Sequence, residues 1–363
     1  MVRTFKERIR HYLYSIAKDE RKDYISRFIG YILLFLSLIY SRVLTLRFFL
    51  FKAMAGRNYS KPDDVKVISV GNITLGGTGK TPLVERIVEY LLAHNRKVAI
   101  ISRGYKGTGT ASGTIADEPE MLKKRFPSVP VIINPDRRKA VLEARKNFGC
   151  EYAILDDAFQ NLGIVKALDI VCINAVNPFG NRRLLPRGIM RVPFLYLRNA
   201  DICVLTHVDR VRDSNGIVDT IRKMNKQALV CTGRHVAQAL LELREGKEKP
   251  LSSLLGKRVS LLCGIAAPKG FEETVYRLGA DIVLRFYFDD HHFFTQEELD
   301  AVFRQCRSQS ITTIITTAKD QPRLLSLGYN FSPEFEVLVL QVKLELENNE
   351  TEFYNRIHNL FSA

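Results

Sequence analysis

The chain has 363 residues, 46% hydrophobic and 26% charged, and its Lys and Arg exceed its Asp and Glu by 15. That size suits two domains plus an appendage, and that charge calls for an anionic partner: nucleic acid, anionic lipid or a phosphorylated substrate. Cys150, Cys172, Cys203, Cys231, Cys263 and Cys306 are far apart and form no C-x-x-C pair, so a disulfide framework and a zinc site are ruled against and reduced, buried thiols are expected.

The charge is concentrated at the start of the chain. Residues 1–57 carry twelve Lys or Arg against four Asp or Glu, which is +8 of the +15. Within them Phe28 to Ser41 reads FIGYILLFLSLIYS without a charge, followed by Arg42, VLTL, Arg47 and FFLF. As a helix this run reaches about 21 Å, short of the ~30 Å core of a bilayer. A helix lying in or dipping into one leaflet is therefore expected; a tilted span with Arg42 snorkelling stretches the fit, and a buried helical hairpin is the bland alternative. The late start and the lack of a small-residue cleavage pattern argue against a signal peptide. Arg21, Lys22, Arg27, Arg42, Arg47, Lys52 and Arg57 suit the anionic cytoplasmic leaflet.

Next comes a strand, Lys66 to Val70 (KVISV), and a helical stretch, Thr81 to Asn95, with Leu83, Val84, Ile87, Val88, Leu91 and Leu92 on one face. Between them lies Gly71-Asn72-Ile73-Thr74-Leu75-Gly76-Gly77-Thr78-Gly79-Lys80-Thr81. Strand, glycine-rich turn and helix form the context of a phosphate-binding P-loop. Gly76, Gly77, Thr78 and Gly79 let successive backbone N–H groups face phosphates, Lys80 neutralises the moving phosphoryl group, and the Thr81 hydroxyl can hold Mg²⁺. Thr74 stands where the first glycine of G-x-x-x-x-G-K-S/T belongs.

Val98 to Ser102, Val129 to Ile133, Tyr152 to Leu155 and Asp169 to Ile173 then alternate with helical stretches, which predicts a mainly parallel sheet with flanking helices. Asp156-Asp157 closes one of these strands, as a Walker B pair holding Mg²⁺ does, although Asp there is also a common turn cap. Arg182, Arg183, Arg187, Arg191 and Arg198 follow with no acid between Asn181 and Asn199, able to grip phosphate or to face lipid headgroups. From about Leu251 the runs Val259 to Cys263, Ile282 to Leu284, Ile311 to Thr316 and Val337 to Val342 predict a second, smaller α/β domain and a cleft between the two. The expected division is 1–57 as a basic, hydrophobic membrane segment, 58–245 as the P-loop domain and 246–363 as the smaller one. Asp289-Asp290-His291-His292 should lie on a loop facing the cleft. In Thr317-Ala318-Lys319-Asp320 the Lys directly precedes the Asp, which is the wrong order for reading guanine, so an adenine nucleotide is preferred.

SVGNITLGGTGKTP, Ser102-Arg103-Gly104-Tyr105, Asp117-Glu118-Pro119, DDAFQ, and Gly180-Asn181 with LLPRGIMR, in this order, resemble the motifs of tetraacyldisaccharide 4′-kinases. Asp290-His291 and Thr317 to Asp320 resemble two later motifs of the family, so the similarity runs from Ser69 to about Asp320. The resemblance implies an ATP- and Mg²⁺-dependent enzyme that phosphorylates the 4′-hydroxyl of a lipid A disaccharide 1-phosphate at the cytoplasmic face of the bacterial inner membrane. It implies Asp117 as base, His291 as its helper, Lys80 and Thr81 on phosphates and metal, Asp156 and Asp157 at the metal, and Arg191, Gln160 and Asn181 toward the substrate. By itself Asp117-Glu118-Pro119 reads equally as a helix start. Ala116, Asn161 and Val192 depart from the family pattern, and bear on substrate detail more than on reaction type. Two other classes stand beside this one: a membrane-bound P-loop ATPase switch or partner-delivery protein, and a nucleic-acid binder. The last is not expected, because the excess charge surrounds a hydrophobic helix and no nucleic-acid module or aromatic ladder accompanies it.

Overall fold

The structure, a computed structural model, describes residues 5–21, 23–58, 64–104 and 117–362. Helices α1 (Phe5–Ala17) and α2 (Tyr24–Asn58) come first. Arg42 is exposed on the outward side of α2 and does not end it. The expectation of a run too short to span is thereby corrected: Tyr24–Phe51 is continuous and, by length and composition only, long enough to cross a membrane.

One side of α2 is docked. Ser37 Oγ donates to the Leu184 carbonyl (2.9 Å), Tyr40 OH donates to the Arg191 carbonyl (3.2 Å), and the Leu44 carbonyl accepts from Tyr196 OH (3.0 Å). Phe48 packs on the Tyr196 ring with centroids 4.9 Å apart. On the other side Phe28, Tyr31, Phe35, Leu38 and Leu46 stand exposed.

Among the described residues, twelve strands form one sheet. They are β1 (Lys66–Asn72), β2 (Val98–Ser102), β3 (Val131–Ile133), β4 (Tyr152–Asp156), β5 (Leu168–Asn174), β6 (Ile202–Thr206), β7 (Leu229–Glu242), β8 (Glu248–Lys249), β9 (Arg258–Cys263), β10 (Asp281–Tyr287), β11 (Thr313–Thr317) and β12 (Glu336–Asn348). Their order is β10-β9-β11-β12-β7-β6-β5-β1-β4-β2-β3, with β8 paired to β7. The helices between and after them are α3 (Lys80–Ala93), α4 (Asp117–Arg125), α5 (Arg137–Phe148), α6 (Asn215–Met224), α7 (Pro268–Arg277), α8 (Gln296–Ser308), α9 (Gln321–Ser326) and α10 (Glu350–His358).

The strands of the first half are continuous apolar runs because both faces are covered, as in doubly wound sheets. Leu83, Val84, Ile87, Val88 and Leu91 of α3 share a core with Ile68 and Val70 on one face. Ala140, Val141 and Ala144 of α5 share another with Val67, Ala99 and Leu155. All six cysteines are buried and unpaired.

The two halves meet through β7 and β12. The first residues of β7 pair in parallel with β6, while Thr232 to Glu242 pair antiparallel with β12. The strand thus carries the chain past the first half, and β12, β11, β9 and β10 run the opposite way, parallel to one another. Carboxyl ends of strands from both halves therefore open on one cleft of 1780 Å³, lined by Asn72, residues 74–82, Asp156 and Asp157 from one side and by Ile265, Asp290, His291 and Lys319 from the other. The expected boundary near residue 245 falls just after β7, but the chain does not stay in the second half. Phe353 and Ile357 of α10 return to the core beneath α3.

Candidate active site

The P-loop connects β1 to α3 at a point where the strand order reverses, with β4 on one side of β1 and β5 on the other. That is where an open α/β sheet leaves a crevice at its carboxyl edge. Gly76 and Gly79 adopt φ of 103° and 77°, in the region that favours glycine. A Cβ on Gly79 would in addition stand 2.7 Å from the His235 ring. Thr74 needs no such freedom. It is buried and forms a β-bridge to Met190, while Leu75 N donates to the Ile189 carbonyl (2.8 Å) and Arg191 N to the Ile73 carbonyl (2.8 Å). The segment from Leu184 to Arg191 thus pins the front of the loop where the usual pattern has a glycine.

Side chains secure the rest. Asn174 Nδ2 donates to the Gly77 carbonyl (2.9 Å), Thr206 Oγ1 to the Thr78 carbonyl (3.1 Å) and Gln160 Nε2 to the Asn72 carbonyl (2.5 Å). Among the described residues the Thr78 hydroxyl meets no hydrogen-bond partner.

Asp156 ends β4, 2% exposed, and among the described residues its Oδ1 meets no donor. Burial, then the neighbouring Glu118 charge, push its carboxyl up to about 7, with Lys80 opposing. Asp157 behaves oppositely. It turns into the left-handed region (φ 51°) and faces two cations, Lys80 Nζ at 3.1 Å and Arg191 Nη1 at 2.7 Å. Burial alone would raise it, but Lys80 and then Arg191 hold it down to about 2. Arg191 also donates to Asn72 Oδ1 (2.8 Å).

Residues 29–362 match the tetraacyldisaccharide-1-P 4′-kinase family. A tetraacyldisaccharide 4′-kinase of Halothermothrix orenii is 33% identical over 349 residues, covering 88% of this chain and 89% of the relative. One of Anaeromyxobacter dehalogenans is 38% identical over 275 residues, covering 71% and 72%. LpxK from Aquifex aeolicus, solved as an "apo" form in complex with ATP, is 28% identical with a TM-score of 0.69, covering 92% of this chain and 99% of that one. This chain belongs to the tetraacyldisaccharide-1-P 4′-kinase family.

In this kinase of lipid A biosynthesis the structure gathers most of the residues singled out from the sequence. Gly76 to Thr81, Asp156, Asp157, Gln160, Arg191 and His291 all line the one cleft. His291 comes from the opposite half, in the left-handed region (φ 60°), its Nε2 3.8 Å from Asp290 Oδ2 and its backbone N donating to the Gly264 carbonyl. Its neighbour His292 turns away, bonded to Glu298 (2.8 Å) and stacked on Phe288. The adjacent histidines thus diverge. The Asp117 side chain lies outside the described residues, as do Tyr105 and Ala116; α4 starts at Asp117, and Glu118 lines the cleft.

Asn181 is not brought to the cleft wall. Its amide donates to the Ala17 carbonyl (3.1 Å) and the Arg187 carbonyl (3.2 Å), and its Oδ1 accepts from Arg183 N (3.1 Å). Arg187 likewise reaches the N-terminal segment, donating to Asp19 (2.6 Å) and the Ile16 carbonyl (3.3 Å).

Residues not singled out from the sequence complete the site. His235 on β7 and His207 after β6 stack edge to face, 4.2 Å apart, against the P-loop. Burial, then the neighbouring His207, lower His235 to about 3; burial, then Arg210, lower His207 to about 4; both are neutral rings near pH 7. Arg137, at the start of α5, donates to the Asp156 carbonyl (2.9 Å) from behind. Arg47 of α2, read from the sequence as suited to the leaflet, also lines the cleft. No spacing rule relates these positions, which lie on separate elements.

Proposed function

We propose that this kinase uses ATP with Mg²⁺ to phosphorylate the 4′-hydroxyl of a lipid A disaccharide 1-phosphate at the cytoplasmic face of the inner membrane. The observation that carries the reading is the meeting of the P-loop with Lys80, Asp156 and Asp157 in one cleft, in a member of this family. In this reading residues 58–245 are the nucleotide lobe and 246–363 a smaller lobe that closes the cleft, with α10 packed back on the first.

The backbone N–H groups from Gly76 to Thr81 receive the phosphates at the amino end of α3, and Lys80 neutralises the transferring group. A buried carboxylate oxygen without a donor at Asp156, near Asp157 and the P-loop, fits a cation. Mg²⁺ keeps waters and takes one or two carboxylates beside phosphate oxygens, so the absence of a three-ligand His, Cys, Asp or Glu group among the described residues is consistent with it. Thr81, Asp156 and Asp157 would hold it, and bound there it would neutralise charge on the phosphates. Asp117 takes the proton of the attacking 4′-hydroxyl and His291 orients or shares that proton. Gln160 and Arg191, which line the same cleft, would face the substrate. Asn181 serves the substrate indirectly, by shaping the loop that carries Arg191.

An amphipathic substrate suits the placement of α2. The helix is docked from Gly30 to Phe48, about 27 Å of its length at ~1.5 Å per residue. Crossing a bilayer would carry the docked protein surface into hydrocarbon. Lying in the leaflet instead buries Phe28, Tyr31, Phe35 and Leu38, leaves Arg27 and Arg42 for headgroups, and keeps Arg47 at the cleft.

The test is conversion of a lipid A disaccharide 1-phosphate in detergent by purified protein with ATP and Mg²⁺. A bisphosphorylated product supports the reading. ATP hydrolysis stimulated by a protein partner, with no phosphorylated lipid, would select the switch alternative.

A further inference from the structure

The stretch Thr317-Ala318-Lys319-Asp320 has no part in the chemistry above, yet it sits where the separate pieces of the cleft meet. Asp320 is fully buried and fixes its surroundings. Its Oδ1 accepts from Gly264 N (3.0 Å) and Arg323 Nη2 (2.8 Å), and its Oδ2 from Thr317 Oγ1 (2.5 Å). Arg323 in turn donates to the His292 carbonyl (2.8 Å) and the Gly264 carbonyl (3.2 Å), and the same Gly264 carbonyl accepts from His291 N (3.2 Å). The loop that presents His291 therefore hangs from Asp320 and Arg323.

The residue beside this hub reaches the other way. Lys319 Nζ lies 2.7 Å from Glu118 Oε1, on the first turn of α4 and next to Asp117. Lys319 is the largest influence on Glu118, whose carboxyl it holds at about 2 against burial. The far end of α4 is tied as well: Arg125 donates to Gln238 of β7 (3.0 Å), Gln341 of β12 (3.3 Å) and Glu89 of α3 (3.1 Å). Helix α4 thus lies across the junction of the halves, secured at both ends by side chains, and the end that carries Asp117 is secured by Lys319.

We propose that Lys319 is a positioning residue, whose ion pair with Glu118 holds the first turn of α4, and so Asp117, opposite the loop that presents His291. This rests on the reading of Asp117 and His291 as the groups that handle the hydroxyl proton. A carboxylate and an imidazole on different halves of the sheet share no rigid element, so a tie between their supports helps to set their separation. Small misplacements of a base cost large factors in rate without altering how ATP is bound. An ion pair with only partial exposure resists screening better than one on the open surface.

The test compares wild type with Lys319→Met, Glu118→Gln, the double variant and Lys319→Arg, measuring kcat and the KM for ATP with a lipid A disaccharide 1-phosphate in detergent. Lys319→Met is expected to lower kcat by about a hundredfold while the KM for ATP moves less than about threefold. The double variant should be scarcely slower than the slower single one, since each single change already breaks the tie. Lys319→Arg keeps the charge and should recover kcat to within about tenfold of wild type. Where Lys319→Met leaves Glu118 unpaired and fails to fold, the double variant, with no orphaned charge, carries the same comparison. Wild-type kcat in the double variant would overturn the proposal, as would losses that multiply. So would a tenfold or greater rise in the KM for ATP with kcat unchanged, which would place Lys319 on the phosphates. Wild type that forms no lipid product removes the proposed function instead; active wild type with equally active variants removes this inference alone.

Discussion

Replacing Asp157 by Asn removes one charge, at nearly constant volume, from between Lys80 and Arg191. Those two cations hold the carboxyl at about 2, where 3.8 is ordinary, even though burial works against them. At ~1.4 kcal/mol per pH unit the difference corresponds to about 2.5 kcal/mol of folding stability, and about 1–2 kcal/mol is expected after solvent screening of a side chain left 19% exposed. The sign follows from the lowered value. The contribution is fully present above the unfolded value near 4 and is lost as the pH falls toward 2. Urea unfolding of wild type and Asp157→Asn at pH 7, 5 and 3, without nucleotide, should show the variant weaker by about 1–2 kcal/mol at pH 7 and 5 and the gap narrowing at pH 3. Equal stability at pH 7, or a gap that persists unchanged to pH 2, would refute the argument that Lys80 and Arg191 converge on this carboxylate.

Lys80→Ala should leave the fold intact and slow phosphoryl transfer by about a hundredfold, since ~3 kcal/mol of transition-state stabilisation is lost; steady-state rates on folded protein decide it, and near-normal turnover would remove the P-loop argument. Introducing Asp at both Phe35 and Leu38, on the exposed side of α2, should release the full-length protein from vesicles containing anionic lipid, measured by flotation, with ATP binding unchanged. Undiminished flotation would mean that another surface holds the membrane. The double variant Asp117→Asn with His291→Ala should be scarcely slower than the worse single variant, because groups that act as one unit lose most of their effect when either is removed. Multiplicative losses, with ATP affinity preserved, would show two independent roles.

The first half of the fold was readable because its signals are local. KVISV, a glycine turn and an amphipathic helix lie in one stretch, and strands covered on both faces appear as plain apolar runs. Strand β7 was not readable. LVCTGRHVAQALLE mixes polar and apolar residues because its two ends lie in different environments, one beside β6 and one against β12, so no single period describes it. His235, which lies in that strand, went unseen for the same reason. Arg42 made the apolar run of α2 look finished, although an exposed arginine on the outward side of a docked helix interrupts nothing. The motif at Thr317 to Asp320 was visible as a resemblance, but its work depends on Gly264, His292 and Glu118, which are distant in the chain. Asn181 shows the converse. The family pattern marks it, and only the fold reveals that its amide is occupied by the Ala17 and Arg187 carbonyls.

The γ-phosphoryl group of ATP is expected to arrive on the 4′-hydroxyl of a lipid A disaccharide 1-phosphate. The direct measurement uses ATP carrying an isotopic label in its γ-phosphate, with Mg²⁺, the disaccharide 1-phosphate in detergent and purified protein, followed by mass spectrometry and phosphorus NMR of the lipid. The label should appear as one added phosphate on the 4′ oxygen of the distal sugar, and should be absent from the lipid when Lys80→Ala replaces wild type. Label found only as free phosphate, or attached to any other position, would refute transfer to the 4′-hydroxyl.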